Sequence, residues 1–419
     1  PVKAWAKDLR ALVVAVQKLG AHVAILGVFG PIDRNGCERP KVAGTDDRGV
    51  VFQRAEAEIA ARHGCDYIPN IQASIDGDRC CWSDANHPNE YGNRHVADCV
   101  QPLIESWTGD RGLPLRPPAL PTLAAIWQEA VLLAPEQLAV VADTTRLTYA
   151  EAAVRVDKLA AQLIAATGVS RPTLAVFLPN CLEYFLLYWA TARLGGVIVP
   201  LNTWLKPDSV AAVFAECKAD VLVVRGVVDG PVADVARESG VAVVMTVDQV
   251  AEWIDSEDHA ALAVDAAGDD DAAIIMYTSG TTAAPKGAVM RHCDLLFNIM
   301  TTINAHQFRS SDVHIVVNPM FHCTALYSLL PTAAYQKSTV VVTADTQADE
   351  LLRLIDDERA TTLLTVPSIC QRLAAARRFA GLDLASLRLI GYAGSPMTTR
   401  AIAELRRCFP NAALHNFFG

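Results

Sequence analysis

The chain has 419 residues, 52% of them hydrophobic and 20% charged, which is too much apolar material for a disordered, collagen-like or low-complexity chain and too long for one ordinary core. Its 36 basic and 46 acidic residues leave a net charge of −10 with no long basic run, so neither nucleic acid nor an anionic lipid surface is expected as the main partner.

The predicted elements begin with helical periodicity over residues 2–19, a short apolar strand over 22–29, a second helix over 49–63, a strand over 66–69 and a helix over 93–105. Alternation of helices with short apolar strands predicts an α/β layer with a parallel sheet. Residues 113–121 read LPLRPPALP; four prolines in nine positions suit neither a helix nor a central strand, and predict a semi-rigid linker. The same grammar then repeats at larger scale. Helix-like stretches include 122–133, 148–166 and 183–194. Strand-like runs include 173–178, 197–200, 221–224, 241–246, 273–277, 314–317, 339–343, 361–366 and 387–392. The expected architecture is a partial α/β layer over residues 1–112, the linker 113–121, and a large α/β domain over 122–419 with parallel sheets flanked by helices.

The longest charge-free stretch, 313–336, contains Asn318, Pro319, His322 and Pro331 and is poor material for a bilayer span, and no secretory signal opens the chain. Eleven cysteines show no C-x-x-C and no zinc spacing, so reduced thiols in a cytoplasmic protein are expected, with no metal site. The three carboxylates Asp269, Asp270 and Asp271 are consecutive and do not point one way, which predicts a solvated turn rather than a magnesium site.

The predicted strand 273–277 runs into Thr278, Ser279, Gly280, Thr281, Thr282, Ala283, Ala284, Pro285, Lys286 and Gly287. Hydroxyls and exposed backbone N–H groups on such a loop, with one lysine, suit a polyphosphate. The order is not that of a Walker loop, because glycine follows the lysine here. Tyr277 through Gly287 resembles the signature loop of the adenylate-forming superfamily, which includes acyl-CoA synthetases, luciferases and peptide-synthetase adenylation domains; it departs at Ala283, where the family commonly has glycine. The resemblance runs from about Thr122 to the last residue. Leu147-Thr148-Tyr149, Leu178-Pro179-Asn180, Leu194-Gly195-Gly196 and Val199-Pro200-Leu201-Asn202 resemble successive family blocks. Asn318-Pro319-Met320-Phe321-His322 resembles the segment bordering the carboxylate pocket, and Val366-Pro367-Ser368 a strand end. Gly394, Ser395 and Pro396 stand where the family has a turn along adenine and acyl group. Phe418 and Gly419 resemble the start of the block whose aromatic ring stacks adenine.

That resemblance implies that Thr278, Ser279, Gly280, Thr281, Thr282 and Lys286 bind ATP, that His322 walls the carboxylate and thioester pocket, and that Mg2+ and coenzyme A take part. It also implies that the magnesium carboxylate and a small mobile domain follow Gly419, so that this chain is expected to be an inactive fragment. The other histidines after the linker show no paired ligand spacing and are read as packing or surface residues. In the first quarter, Asp84-Ala85-Asn86-His87-Pro88 resembles the last block of SGNH (GDSL-type) hydrolases, which implies a catalytic Asp84 and His87 whose serine nucleophile would lie before Pro1.

The expected function is ATP-dependent activation of a carboxylic acid, a fatty or related acyl acid, to acyl-AMP and then acyl-CoA. Two alternatives stand beside it: an SGNH-type ester hydrolase or acyltransferase carrying a passenger ligase domain, and a non-catalytic nucleotide- or acyl-binding module.

Overall fold

The computed structural model describes residues 9, 13, 24–26, 58–63, 66–68, 121–255, 267–278, 285–376 and 381–417, and the chain divides into two units, Pro1–Ala119 and Leu120–Gly419. In the first unit, β1 (Ala24–Leu26) pairs in parallel with β2 (Asp66–Ile68), with Ala24 opposite Asp66. Both strands fall within predicted runs. Residues 58–63 are helical, with Ile59 and Ala60 buried. Asp84 and His87 lie outside the described residues.

The second unit carries two sheets. The seven-stranded sheet contains β3 (Leu138–Ala142), β4 (Thr145–Thr148), β11 (Val313–Val316), β12 (Thr339–Val342), β13 (Thr362–Thr365), β14 (Leu389–Tyr392) and β15 (Ala413–Asn416), in the order β15-β14-β13-β11-β12-β3-β4. The six-stranded sheet contains β5 (Thr173–Phe177), β6 (Val197–Pro200), β7 (Val221–Val224), β8 (Val243–Thr246), β9 (Ala272–Thr278) and β10 (Lys286–Arg291), in the order β10-β9-β6-β5-β7-β8. All pairings in these two sheets are parallel except the edge pairs β3–β4 and β9–β10.

Each inner strand buries both faces, which is why the sequence shows continuous Val/Ile runs rather than alternation. In β5, Leu174 and Val176 join one core and Ala175 another; in β12, Val340 and Val342 face one way and Val341 the other. The shared core lies between the sheets and contains α1 (Leu123–Leu133), α2 (Tyr149–Thr167) and α3 (Leu182–Arg193). Trp127 stacks on Trp189 with centroids 4.6 Å apart, and Tyr149, Phe185 and Tyr188 close around them. The outer face of the six-stranded sheet is covered by α4 (Pro207–Cys217) and α5 (Pro231–Glu238), followed in the chain by α6 (Val247–Asp255) and α7 (His292–His306). A π-helix (Thr324–Leu329) runs into α8 (Leu330–Gln336). The outer face of the other sheet packs α9 (Ala348–Asp357), α10 (Pro367–Ala375) and α11 (Thr399–Cys408).

The Leu147-Thr148-Tyr149 block has a local role. Thr148 ends β4 and N-caps α2 in a reciprocal capping box with Glu151, and the Tyr149 hydroxyl donates to Ser338 O at 2.8 Å. No helix among the described residues is long and apolar enough to cross a membrane.

Candidate active site

The hydroxyl-rich loop is the connection of the β9–β10 hairpin at the edge of the six-stranded sheet. Thr278 pairs with Lys286 and Tyr277 with Gly287, so the backbones of Thr278 and Lys286 close the hairpin. Ser279, Gly280, Thr281 and Thr282 lie outside the described residues. Lys286 is exposed. Gly287 is required by close packing: a Cβ there would stand 2.8 Å from Ile275 Cγ2 and 3.0 Å from Tyr277 Cζ. Burial is the main cause that pushes the Tyr277 hydroxyl up to about 12, with Cys217 and Glu216 adding to it. The acidic run ahead of β9 forms a turn held by ion pairs and hydrogen bonds. Asp271 accepts from Arg171 at 2.7 Å and from the Gly268 N–H, and Asp270 pairs with Arg291. No group of three or more His, Cys, Asp or Glu suited to a metal occurs among the described residues.

Asn180 fixes the wall that carries His322. Its Nδ2 donates to Val316 O at 3.1 Å, Asn318 O at 2.9 Å and Thr343 O at 3.0 Å, while Oδ1 accepts from the Met320 N–H at 2.7 Å. A residue following β5 of one sheet therefore clamps the ends of β11 and β12 of the other. Asn318 Oδ1 accepts from Thr365 Oγ1 at the end of β13. From this anchor Phe321 meets Trp204 edge to face, with centroids 5.4 Å apart, and Trp204 is 78% exposed. His322 is itself exposed, and its Nδ1 lies 3.3 Å from Cys323 Sγ. That hydrogen bond raises the His322 pKa above its ordinary value against the opposing effect of burial.

At the far end of the seven-stranded sheet, Gly391 leaves room for Phe417, because a Cβ would lie 3.1 Å from its ring and 2.3 Å from Leu364 Cδ2. Phe417 N–H donates to Tyr392 O, and the exposed turn Gly394-Ser395-Pro396 follows directly after β14. Phe418 and Gly419 lie outside the described residues. A cavity of about 560 Å³ opens between the sheets beside Asn180. Its wall bears Asp143, Glu183, Asp248, Asp345 and Glu350 against Arg225, a charge balance unsuited to a polyphosphate.

A model of the AMP-binding enzyme family matches residues 127–419. The chain belongs to that family. It is 31% identical over 265 residues to "Feruloyl-CoA synthase" of Amycolatopsis sp, covering 63% of this chain and 52% of that protein. It is 30% identical over 269 residues to "Indoleacetate--CoA ligase" of Aromatoleum aromaticum, covering 62% and 52%. The inhibitor-bound N-terminal domain of FACL13 from Mycobacterium tuberculosis superposes with a TM-score of 0.64 at 25% identity, over 72% of this chain and 76% of that one. The chain thus spans about half the length of these curated AMP-binding relatives.

Within the AMP-binding unit, the structure joins motif blocks that are far apart in sequence: Asn180 with Asn318 and Met320, Trp204 with Phe321, and Gly391 with Phe417. Reading the sequence missed the contact of Trp204 with Phe321, although Trp204 stands two residues after the Val199–Asn202 block. It also missed Cys323, next to His322. The other histidines pack. His314 is buried between Thr362 Oγ1 at 2.6 Å and Ser338 Oγ at 3.1 Å; His292 accepts from the Leu123 N–H; His306 Nδ1 lies 3.2 Å from His415 Nδ1. His259 lies outside the described residues.

Proposed function

We propose that this chain is the ATP- and acid-binding part of an AMP-forming acyl-CoA ligase. One observation carries the reading: in a chain matching the AMP-binding family over 127–419, the hydroxyl-rich segment is the tip of a hairpin whose closing pair is Thr278 and Lys286. A carboxylate oxygen attacks the α-phosphorus of ATP, the bond to the bridging oxygen breaks, and pyrophosphate leaves with acyl-AMP formed. The sulfur of coenzyme A then attacks the acyl carbonyl and AMP departs. Backbone N–H groups and hydroxyls of residues 278–282, with the Lys286 ammonium, hold the phosphates as charge moves onto pyrophosphate, a task of positioning and electrostatics. His322, with Phe321 and Trp204, walls the pocket that orients the acid. Gly394, Ser395, Pro396 and Phe418, with Gly419, border adenine. The acid has an apolar body, of the fatty or related acyl class, in keeping with the aromatic wall and with relatives named as a CoA synthase and a CoA ligase. Mg2+ would accompany ATP, and none of the residues described offers a cluster to hold it.

The same proposal divides the chain into an SGNH-like C-terminal part over 1–112, with Asp84 and His87 as its catalytic remnant, a linker over 113–121, and the AMP-binding domain over 122–419, in a cytoplasmic protein. The test is carboxylate-dependent exchange of pyrophosphate into ATP by the protein whose gene carries this chain, across acids of graded length and aromaticity. Exchange that depends on an acid and falls at least about tenfold in Lys286→Ala is expected. Exchange indifferent to Lys286 would remove the loop from its assigned role.

A further inference from the structure

Beside His322 lies a thiol that adenylation does not use. Cys323 Sγ stands 3.3 Å from His322 Nδ1. Cys323 immediately precedes the helical run that continues through the π-helix and α8 to Gln336, at the end where backbone N–H groups are free to face an anion. Both backbones are fixed: the His322 N–H donates to Pro319 O at 2.8 Å, and His322 O accepts from the Leu326 N–H at 3.1 Å. The imidazole is exposed and the thiol partly so, which leaves the pair open to a small molecule.

We propose that the Cys323–His322 pair is a thiol-modification site that takes low-molecular-weight aliphatic disulfides and stores them as a mixed disulfide at the wall of the acid pocket. A nucleophilic sulfur held within hydrogen-bond reach of a base is the arrangement that thiol–disulfide exchange needs. His322 accepts the Cys323 proton. The thiolate attacks one sulfur of RS–SR, the S–S bond breaks as the Cys323 S–SR bond forms, and RS⁻ leaves and recovers the proton from the imidazolium. Bonds and electrons balance without a further oxidant.

The electrostatics agree with the geometry. Burial opposes ionisation of Cys323, but His322, with smaller contributions from Tyr327 and Thr324, outweighs it and holds the thiol below its ordinary value. Cys181, Cys217, Cys293, Cys370 and Cys408 are all shifted the other way, burial being the first cause in each case. Among the described cysteines, Cys323 alone is set up to react as a thiolate. The adduct would stand beside Phe321, and through it Trp204, where it would obstruct an incoming acid.

The experiment exposes the 419-residue protein to excess glutathione disulfide at pH 7, quenches with acid, and follows each cysteine peptide by mass spectrometry. Cys323 is expected to gain glutathione at least about tenfold faster than Cys217, Cys293 or Cys408. In His322→Gln the Cys323 rate should fall several-fold at pH 7 and approach the parent rate near pH 9, where an unassisted thiol ionises by itself. A Cys323 rate no greater than those of the other three, or one unchanged in His322→Gln, overturns the proposal. Should His322→Gln fail to fold, iodoacetamide alkylation of the unaltered protein decides: a Cys323 rate already near its plateau at pH 7 supports the site, and one climbing steeply through pH 8–9 overturns it. Labelling needs no ATP or acid, so its outcome and that of pyrophosphate exchange are read separately.

Discussion

The Asn180 clamp and the β9–β10 hairpin belong to one unit and both border the candidate site, yet they are assembled from opposite materials. The clamp is buried, and both ends of its amide are satisfied by backbone groups at the ends of β11 and β12 of the other sheet. The hairpin lies on a sheet edge, where Lys286, Ala288, Val289 and Arg291 face solvent. A buried network is costly to break because each orphaned group keeps its desolvation penalty, whereas an exposed edge rehydrates. One part of the site should therefore fail by unfolding and the other by losing its ligand.

The largest expected effect follows from the clamp. Asn180→Ala takes the amide's hydrogen bonds from the carbonyls of Val316, Asn318 and Thr343 and from the Met320 N–H, the Val316 carbonyl keeping the Thr343 N–H, and should destabilise the second unit by about 2–4 kcal/mol. Guanidinium unfolding followed through the buried Trp127–Trp189 pair measures it. A loss under about 0.5 kcal/mol would mean that the two sheets do not depend on Asn180.

A second buried network sharpens the contrast through pH. Burial, the first cause, brings His314 down to about 4; Arg388 acts in the same direction and Asp312 against it. His306 also lies at about 4, lowered by burial, His415 and Arg388. Both rings are neutral in the folded chain and take up protons on unfolding at any pH between about 4 and 6.5. The unfolded state then binds more protons, so stability is complete above about pH 6.5 and drains away as pH falls towards 4. His314 alone contributes on the order of 2–3 kcal/mol to that loss. Melting temperatures between pH 7.5 and 4.5 should fall, and His314→Gln should flatten the fall. A parent profile level across this window would refute the assignment.

Most inner strands were legible because burial on both faces leaves a continuous apolar run: β5, β6, β7, β12 and β14 all lie inside runs read from the sequence, whereas the buried inner strand β3 was not read. The edges were not. Of the Thr145–Thr148 side chains in β4 only Leu147 is buried, β10 is mostly exposed, and β15 has no buried residue, so none writes an apolar signal. The loop, His322 and the Gly394 turn were singled out through motif order. Their supports were not, because Asn180 reaches Asn318 across 138 positions and Trp204 meets Phe321 through space. No local pattern encodes such a contact.

Gly287→Ala lies between the two extremes. The added methyl must displace Ile275 Cγ2 and the Tyr277 ring, both side-chain neighbours on the paired strand. Because Tyr277 is only partly buried it can move, so a cost of about 1–2 kcal/mol is expected rather than collapse. ATP affinity should fall with it if the ring braces the hairpin tip. Unchanged unfolding with unchanged ATP binding would show that the hairpin absorbs a Cβ freely.

Lys286→Ala should produce the smallest change in stability and isolates what the hairpin is for. Lys286 is exposed, and its ammonium makes no ion pair among the described residues, so its removal leaves no buried group unsatisfied. Surface substitutions of this kind stay within about 0.5 kcal/mol. The same charge beside bound triphosphate has no hydrated substitute, and its loss should weaken ATP binding by about tenfold or more. Calorimetric titration of ATP and guanidinium unfolding, run on one preparation, give both numbers. Lys286→Arg separates charge from shape: it should restore most of the affinity if the ammonium acts as a diffuse positive charge, and little if it fits one phosphate oxygen. A Lys286→Ala protein that binds ATP unchanged but unfolds more than about 1 kcal/mol earlier would invert the comparison, making the hairpin a structural edge and leaving the phosphates to be held elsewhere.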